Sequence, residues 1–597
     1  MIGLGCMRLS TQPDRDDLDA EGVIHTALDA GARVLDTADV YCHNEKDVGH
    51  NERLIAKALQ SWNGDRSAVE VATKGGMTRP AGKWVPDGRA KHLVRACEAS
   101  LVALGADVID LYYLHVVDPR TPLETSVRAL AGLQTSGLIR RIGLSNVTVG
   151  QIQAARAIAE IAAVQVSVSV LDDESLRNGV AEYCRDAGIR LIAYRPLGGR
   201  AGLRRLARDP ALMAVAIRHQ ATPHEIALAW LLDLDPGVVP IPGATRVETA
   251  ASLGRVAAIR LTGEDREELD RGFPAGRLLR LPRSTRRPAT SAEGEVVLVM
   301  GLPGAGKSEV ARAFEAQGFS RLNRDSRGGT LSDLVPELAH GLARGQRRWV
   351  LDNTYASRAA RNRVIECAWD AGVPVRCVWL RTSLADAQTN AIRRMIEAHG
   401  RLPGPEEIRG RGRKDSRYFG PDAQFRYERS VEPPVVEEGF IVVEELPFLR
   451  HEAPGLSGRA LILELDDVLC EGTPLDIAVM AGRRDVLARY HAEGWKLFTH
   501  AWRPQVARGE LSAEEITRSF AQVRQQLGLE IDAGYCPHAA GPPVCWCRKP
   551  LPGLVLEFAM GLGLRLEDCI MVGAGTADRT MAQRLRMTFA DAGEFFG

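Results

Sequence analysis

The chain has 597 residues, 45% hydrophobic and 25% charged, with 76 basic side chains against 76 acidic ones. That length exceeds a single hydrophobic core and suits about three domains, and the composition is that of an ordinary globular protein. No apolar stretch is long enough to span a bilayer, MIGLGCMRLS turns polar too quickly for a signal peptide, and most of the eleven cysteines are scattered singly, so the expectation is a cytoplasmic protein with free thiols and no membrane partner.

In chain order, IGLGCMRLS is followed by seven apolar runs: VLDTA, VEVATK, VIDLYYLH, RRIGLSN, AVQVSVS, RLIAYRPL and VVPIPGA. Each run precedes a longer helical pattern, so residues 1–276 predict eight βα units closed into a (β/α)8 TIM barrel. Chemistry in such barrels sits where strands end. Those ends carry Asp36 and Tyr41 (DTADVY), Lys74 (ATKGG) and His115 (YYLHVVD). A phenol is a poor acid at neutral pH, and a nearby ammonium held by an aspartate is expected to lower its pKa. The histidine can orient and polarise a carbonyl.

These pieces resemble the aldo-keto reductase family over residues 1–272. The resemblance implies reduction of a small carbonyl compound with NADP(H). It places Ser145 and Asn146 (GLSN) and Gln165 (VQVS) on the nicotinamide carboxamide and Tyr194 (AYRPLG) against the nicotinamide ring. Gly243 and Arg246 (IPGATR) fall near the pyrophosphate and the adenosine 2′-phosphate. Two positions depart from the family pattern: Arg195 replaces a small serine, and Ser252 replaces an asparagine that meets adenine. The alternative is a barrel that binds cofactor only, as a redox-sensing or interaction module.

Residues 277–294, rich in Pro, Ser and Arg, read as a linker to a second block, 295–449. There VVLVM-GLPGAGKS-EVARAF is a strand, a glycine-rich loop and a helix start. Gly301, Gly304 and Gly306 let backbone N–H groups wrap phosphates, Lys307 reaches the β/γ oxygens, and Ser308 ligates Mg²⁺. Asp325, at the close of a short strand (RLNRDSRGG), can take a proton from an attacking hydroxyl; an N-cap or turn role is the plainer reading. WVLDNTYASRAAR contributes Asp352, Asn353, Thr354, Arg358 and Arg361. Arg393, Arg394 and the run 409–414 could cover a triphosphate. From Arg321 to Ser430 there are 21 Arg plus Lys against 13 Asp plus Glu, a local excess that suits a polyanionic acceptor. GLPGAGKS, NRD and DNT together resemble the polynucleotide 5′-hydroxyl kinase family. This implies ATP as donor, Asp325 as general base, Arg327 on the acceptor's 3′-phosphate, and Asp352, Asn353, Thr354 and Arg358 on the acceptor side, with RNA or DNA ends as the acceptor in repair. A small-metabolite kinase is the competing reading.

A brief linker, 450–459, precedes the third block, 460–597. LILELDDVL, CRKP and MVGAGTAD resemble the haloacid dehalogenase superfamily, with a Rossmann-like α/β fold, and within it the histidinol- and heptose-phosphate phosphatase branch. Cys536, His538, Cys545 and Cys547 form CxH-x6-CxC, a set that suits tetrahedral structural Zn²⁺. Glu464 stands where the superfamily has its nucleophilic aspartate, with Asp466 at the acid/base position. Thr499 and Lys549 match phosphate-binding residues, Ala574 replaces one acidic Mg²⁺ ligand, and Asp578 retains the other. A degenerate phosphatase is expected.

Overall fold

The computed structural model describes residues 1–281, 293–412, 415–448, 456–541 and 545–597. Much of 277–294 and of 450–459, together with Arg413 and Lys414 of the basic run, lies outside the described residues. The chain divides into two compact units: Met1–Arg287 with Arg358–Arg363, and Pro288–Ser357 with Val364–Gly597.

In the first unit eight strands run parallel in chain order: β1 Gly3–Gly5, β2 Val34–Asp36, β3 Glu70–Gly75, β4 Leu111–Leu114, β5 Ile142–Ser145, β6 Ile161–Ser167, β7 Arg190–Tyr194 and β8 Val238–Pro240. All four residues of β4 and all four of β5 are buried, as strands covered on both faces must be. The ring closes just beyond β8, where the Gly5 N–H donates to the Pro242 carbonyl at 3.0 Å. A Cβ at Gly5 would lie 2.9 Å from the Ile241 carbonyl oxygen, so the closure needs glycine there. The outer helices start on side-chain caps: Thr148 with Gln151, Thr222 with Glu225, and Thr262 with Asp265 each form a reciprocal capping box. Arg277–Arg280, expected to open a linker, instead forms a short helix whose Leu278 and Leu279 are buried in the barrel core.

The second unit holds two parallel sheets. The first comprises β9 Glu295–Met300, β10 Ser320–Leu322, β11 Arg348–Asp352, β12 Val375–Leu380 and β13 Val443–Leu446, in the order β10-β11-β9-β12-β13. Its central strand β9 leads into the glycine-rich loop and the helix Lys307–Ala316. The other sheet comprises β14 Ala460–Glu464, β15 Lys496–Trp502, β16 Asp532–Cys536, β17 Ile570–Gly573 and β18 Thr588–Asp591, in the order β16-β15-β14-β17-β18. A two-stranded ribbon, Cys470–Thr473 with Asp476–Val479, follows β14. One continuous core joins these two α/β layers. Ala391, Ile392, Met395 and Ile396 on the helix Leu384–His399 pack with Val555, Leu556, Ala559 and Met581. The two blocks fold as one body because that helix is apolar on the face turned to the third block.

Candidate active sites

At the C-terminal ends of the barrel strands lies a cavity of about 850 Å³. Asp36, Tyr41, His115, Ser145, Asn146, Gln165, Tyr194 and Gly243 all line it, and Lys74 sits behind. The Lys74 ammonium is fully buried, donating to Asp36 Oδ1 at 2.7 Å and to the Thr37 carbonyl at 2.7 Å. It stands 4.8 Å from the centroid of the Tyr41 ring, whose edge meets His115 at 5.7 Å. Sequence thus brings the four predicted residues together. The electrostatics differ from expectation. Burial, reinforced by Asp36, pushes the Tyr41 phenol well above its ordinary value, so Lys74 does not leave it acidic. Burial likewise lowers the Lys74 ammonium, with Asp36 opposing. Burial and then Lys74 press the His115 imidazole down to about 3, which leaves it neutral at physiological pH. Among the described residues, His115 Nδ1 is buried without a hydrogen-bond partner.

The cofactor positions form a second cluster. Gln165 donates to Asp36 Oδ1 at 2.7 Å, and the Tyr194 hydroxyl donates to Asn146 Oδ1 at 2.8 Å. Asn146 holds a left-handed φ of 57°, and its amide also reaches Ser145 Oγ at 3.0 Å. Arg195, at φ 50°, lines the cavity with Arg8 and Arg200. Arg246 is not among the lining residues; it is exposed at the N-terminus of the helix Val247–Ala258. Ser252 bonds the Thr249 carbonyl within that helix. Sequence reasoning missed Trp84, which lies edge-on to both Tyr41 and His115 at 6.3 Å and rests against Arg79. A lone tryptophan in the loop after β3 was its one signal.

A second cavity, also of about 850 Å³, opens over the glycine-rich loop. Gly304 and Gly306 take φ of 88° and 95°, conformations open to glycine and strained for other residues. Lys307 folds back on the loop, donating to the Gly301 carbonyl at 2.9 Å and the Leu302 carbonyl at 2.7 Å. Burial lowers its ammonium to about 8. Ser308 Oγ donates to Asp352 Oδ2 at 3.2 Å. Asp352, expected on the acceptor side, thus sits beside the loop's hydroxyl, where Arg321 grips it through two nitrogens at 2.8 and 2.6 Å. Asp325, Asn353, Thr354 and Arg394 line the cavity. Burial lowers the Arg394 guanidinium, with Asp325 opposing. Arg327, Arg358 and Arg393 are not among the lining residues. Arg327 pairs with Glu337 at 2.8 Å, and Arg324 takes the place at the cavity, paired with Asp325 at 2.8 Å. Arg361 is fully buried. Asn323 ties the NRD and DNT turns together: its amide donates to the Asp352 carbonyl at 2.6 Å, and its oxygen caps Asp325 and Ser326.

In the third block, Lys549 bridges Glu464 and Asp578, the latter at 2.6 Å. Arg503, which sequence reasoning passed over, holds Asp466 through two bonds at 2.6 and 2.7 Å. Thr499 Oγ1 donates to the Leu463 carbonyl at 3.2 Å. His500 lies 3.9 Å from Glu464, its imidazole lowered by burial to about 4. Further along, one ligand atom from each of Cys536, His538, Cys545 and Cys547 falls within 4.8 Å of the others. The Cys536–Cys545 sulfurs are 3.7 Å apart, and His538 Nδ1 is 3.6 Å from Cys536 and 3.2 Å from Cys547. Tetrahedral Zn²⁺ places sulfurs about 3.8 Å apart and a sulfur–nitrogen pair about 3.6 Å apart, so the four residues fit such an ion.

The model of the aldo/keto reductase family matches residues 1–272, and that of an AAA domain matches residues 296–403. The Glycine max protein named "Probable aldo-keto reductase 1" is 33% identical over 308 residues, covering 46% of this chain and 86% of its own. Among solved structures, a thermostable aldo-keto reductase in complex with the inhibitor epalrestat is 32% identical, with 45% of this chain and 94% of its own covered and a TM-score of 0.39. An aldo-keto reductase from Klebsiella pneumoniae in complex with NADPH is 27% identical, with 46% and 90% covered and a TM-score of 0.39. The chain therefore belongs to the aldo/keto reductase family.

Proposed function

We propose that the barrel is an NADP(H)-dependent carbonyl reductase. The observation that carries this reading is the buried Asp36–Lys74 pair with Tyr41 and His115 at the mouth of one cavity. The cavity suits a dinucleotide: Ser145, Asn146 and Gln165 offer amide and hydroxyl partners, Tyr194 a ring face, and Arg8, Arg195 and Arg200 charge for phosphates. NADPH, when bound, supplies a hydride. The chain's own part is the proton and the orientation. Tyr41, held as a neutral phenol, keeps the proton a developing alkoxide requires. Neutral His115 offers an N–H to the carbonyl oxygen, and Lys74 with Asp36 fixes the Tyr41 ring. Titration with NADPH, followed by turnover of an aldehyde and ketone panel, tests it. Binding with no turnover of any carbonyl would instead favour the cofactor-sensing reading.

The second cavity favours a further activity: ATP- and Mg²⁺-dependent phosphorylation of the 5′-hydroxyl end of a nucleic acid. Gly301, Gly304, Gly306 and Lys307 would hold the triphosphate, and Ser308 with Asp352 would hold Mg²⁺. Asp325 would take the acceptor's proton. Arg312, Arg324, Arg394 and Arg426 on the cavity wall support a polyanionic acceptor. Labelled ATP offered with matched 5′-hydroxyl RNA and DNA tests this; transfer only to a small metabolite would sink it. We read the third block as a silent phosphatase-like layer holding Zn²⁺. Its Lys549 ammonium stands between the two carboxylates that would otherwise share a cation, and Arg503 occupies Asp466.

A further inference from the structure

The loop that bears the metal ligands packs behind one wall of the cavity over the glycine-rich loop. Trp546 lies between two of the four ligands, Cys545 and Cys547, in a stretch outside any helix or strand, yet it is only 1% exposed. Its indole N–H donates to the Phe419 carbonyl at 2.9 Å, and the Phe419 ring meets it edge-on at 6.0 Å. Phe419 and its neighbour Tyr418 line the cavity that holds Lys307 and Asp325. The Arg394 guanidinium, another lining group, stands 6.0 Å from the Phe419 ring and reaches the Arg417 carbonyl at 3.5 Å. A second set of bonds runs alongside. The Leu402 N–H donates to Glu557 at 3.0 Å, and Arg584 donates to Gln388 on the helix that carries Arg394 at 2.9 Å. Trp546, Tyr418, Ile392 and Met395 belong to one core.

We propose that the third block serves the second as a metal-dependent buttress: a divalent ion on Cys536, His538, Cys545 and Cys547 fixes Trp546, and Trp546 positions the Tyr418–Phe419 wall and Arg394. Ligation on both sides of one residue pins its backbone, so a bulky side chain that has no helix or strand beneath it can be seated in one place. Without the ion, Cys545–Cys547, which lie outside any helix or strand, depend on the packing of Trp546 and its hydrogen bond to Phe419. Trp546 is then a positioning residue, acting on the cavity through Phe419. This rests on the phosphotransferase reading of that cavity. It also gives a silent phosphatase layer a reason to be fused here.

The test uses the full chain, with zinc content, backbone hydrogen exchange and phosphotransfer measured together. The samples are the wild type, the chelated protein, Trp546→Phe, Trp546→Ala and the Cys545→Ser/Cys547→Ser pair. We expect metal loss and Trp546→Ala each to speed exchange across residues 415–430 while residues 1–272 exchange as before. Because a small misplacement of a catalytic wall is costly, phosphotransfer should fall by about tenfold or more, with Trp546→Phe less affected. Wild-type exchange at 415–430 after metal loss or in Trp546→Ala would overturn the proposal, as would wild-type protein that holds no metal. If no acceptor is phosphorylated by the wild type, the phosphotransferase reading fails on its own, and the exchange data still decide the buttress.

Discussion

Asp36 and Lys74 form a buried ion pair at 2.7 Å beneath Tyr41, the charged centre of the barrel's cavity. Strand-end spacing found both residues along with Tyr41 and His115. It could not weigh burial against charge, and burial prevails at Tyr41, Lys74 and His115 alike. Trp84, Arg321 and Arg503 escaped the sequence because each acts through a partner brought close only by folding. Removing Lys74 leaves the buried Asp36 carboxyl group without the cation it pairs with. Lys74→Met should therefore destabilise the barrel by about 3–5 kcal/mol in chemical denaturation, and a loss within about 0.5 kcal/mol would refute the buried-pair account. Lys307 yields a pH test. Its folded-state pKa is lowered to about 8, so its charge is present below that pH and lost above it. ATP affinity by calorimetry should then be level in the acid and neutral range and weaken as pH rises through 8, by up to about tenfold per unit. A constant affinity into strongly alkaline buffer would remove Lys307 from phosphate binding.

At the scale of elements, the eight strands were readable because each is short, apolar and buried on both faces. The glycine-rich loop was readable because its spacing serves phosphate and little else. The helix Arg277–Arg280 was not, since four residues carry no period and its neighbours are Pro, Ser and Arg. Ring closure depends on a detail the sequence did not announce, the bare Cα of Gly5 against the Ile241 carbonyl. Gly5→Ala should destabilise the barrel by about 1–3 kcal/mol, read as a lowered Tm of its transition. An unchanged Tm would mean the closure tolerates a methyl group.

For the whole molecule, the sequence divides into three chemistries, whereas the fold joins the second and third blocks through one core. The joining face, Ala391 to Ile396, reads in sequence as an ordinary amphipathic stripe; nothing in it says which neighbour it covers. The candidate site residues of the barrel and of the glycine-rich loop line different cavities, so the proposed chemistries should separate by mutation. Asp325→Asn should lower phosphotransfer by about 10²–10⁴-fold while carbonyl reduction and ATP binding stay at wild-type level; equal loss of both activities would contradict two separate sites. The proposed transfer of a proton from Tyr41 to a carbonyl in an NADPH-binding barrel is decided by following reduced-nicotinamide absorbance with an aldehyde panel in the wild type and Tyr41→Phe. Steady consumption by the wild type is expected, with a loss of about 10²–10⁴-fold in Tyr41→Phe and NADPH affinity retained; equal turnover by the two proteins would contradict a proton carried by Tyr41.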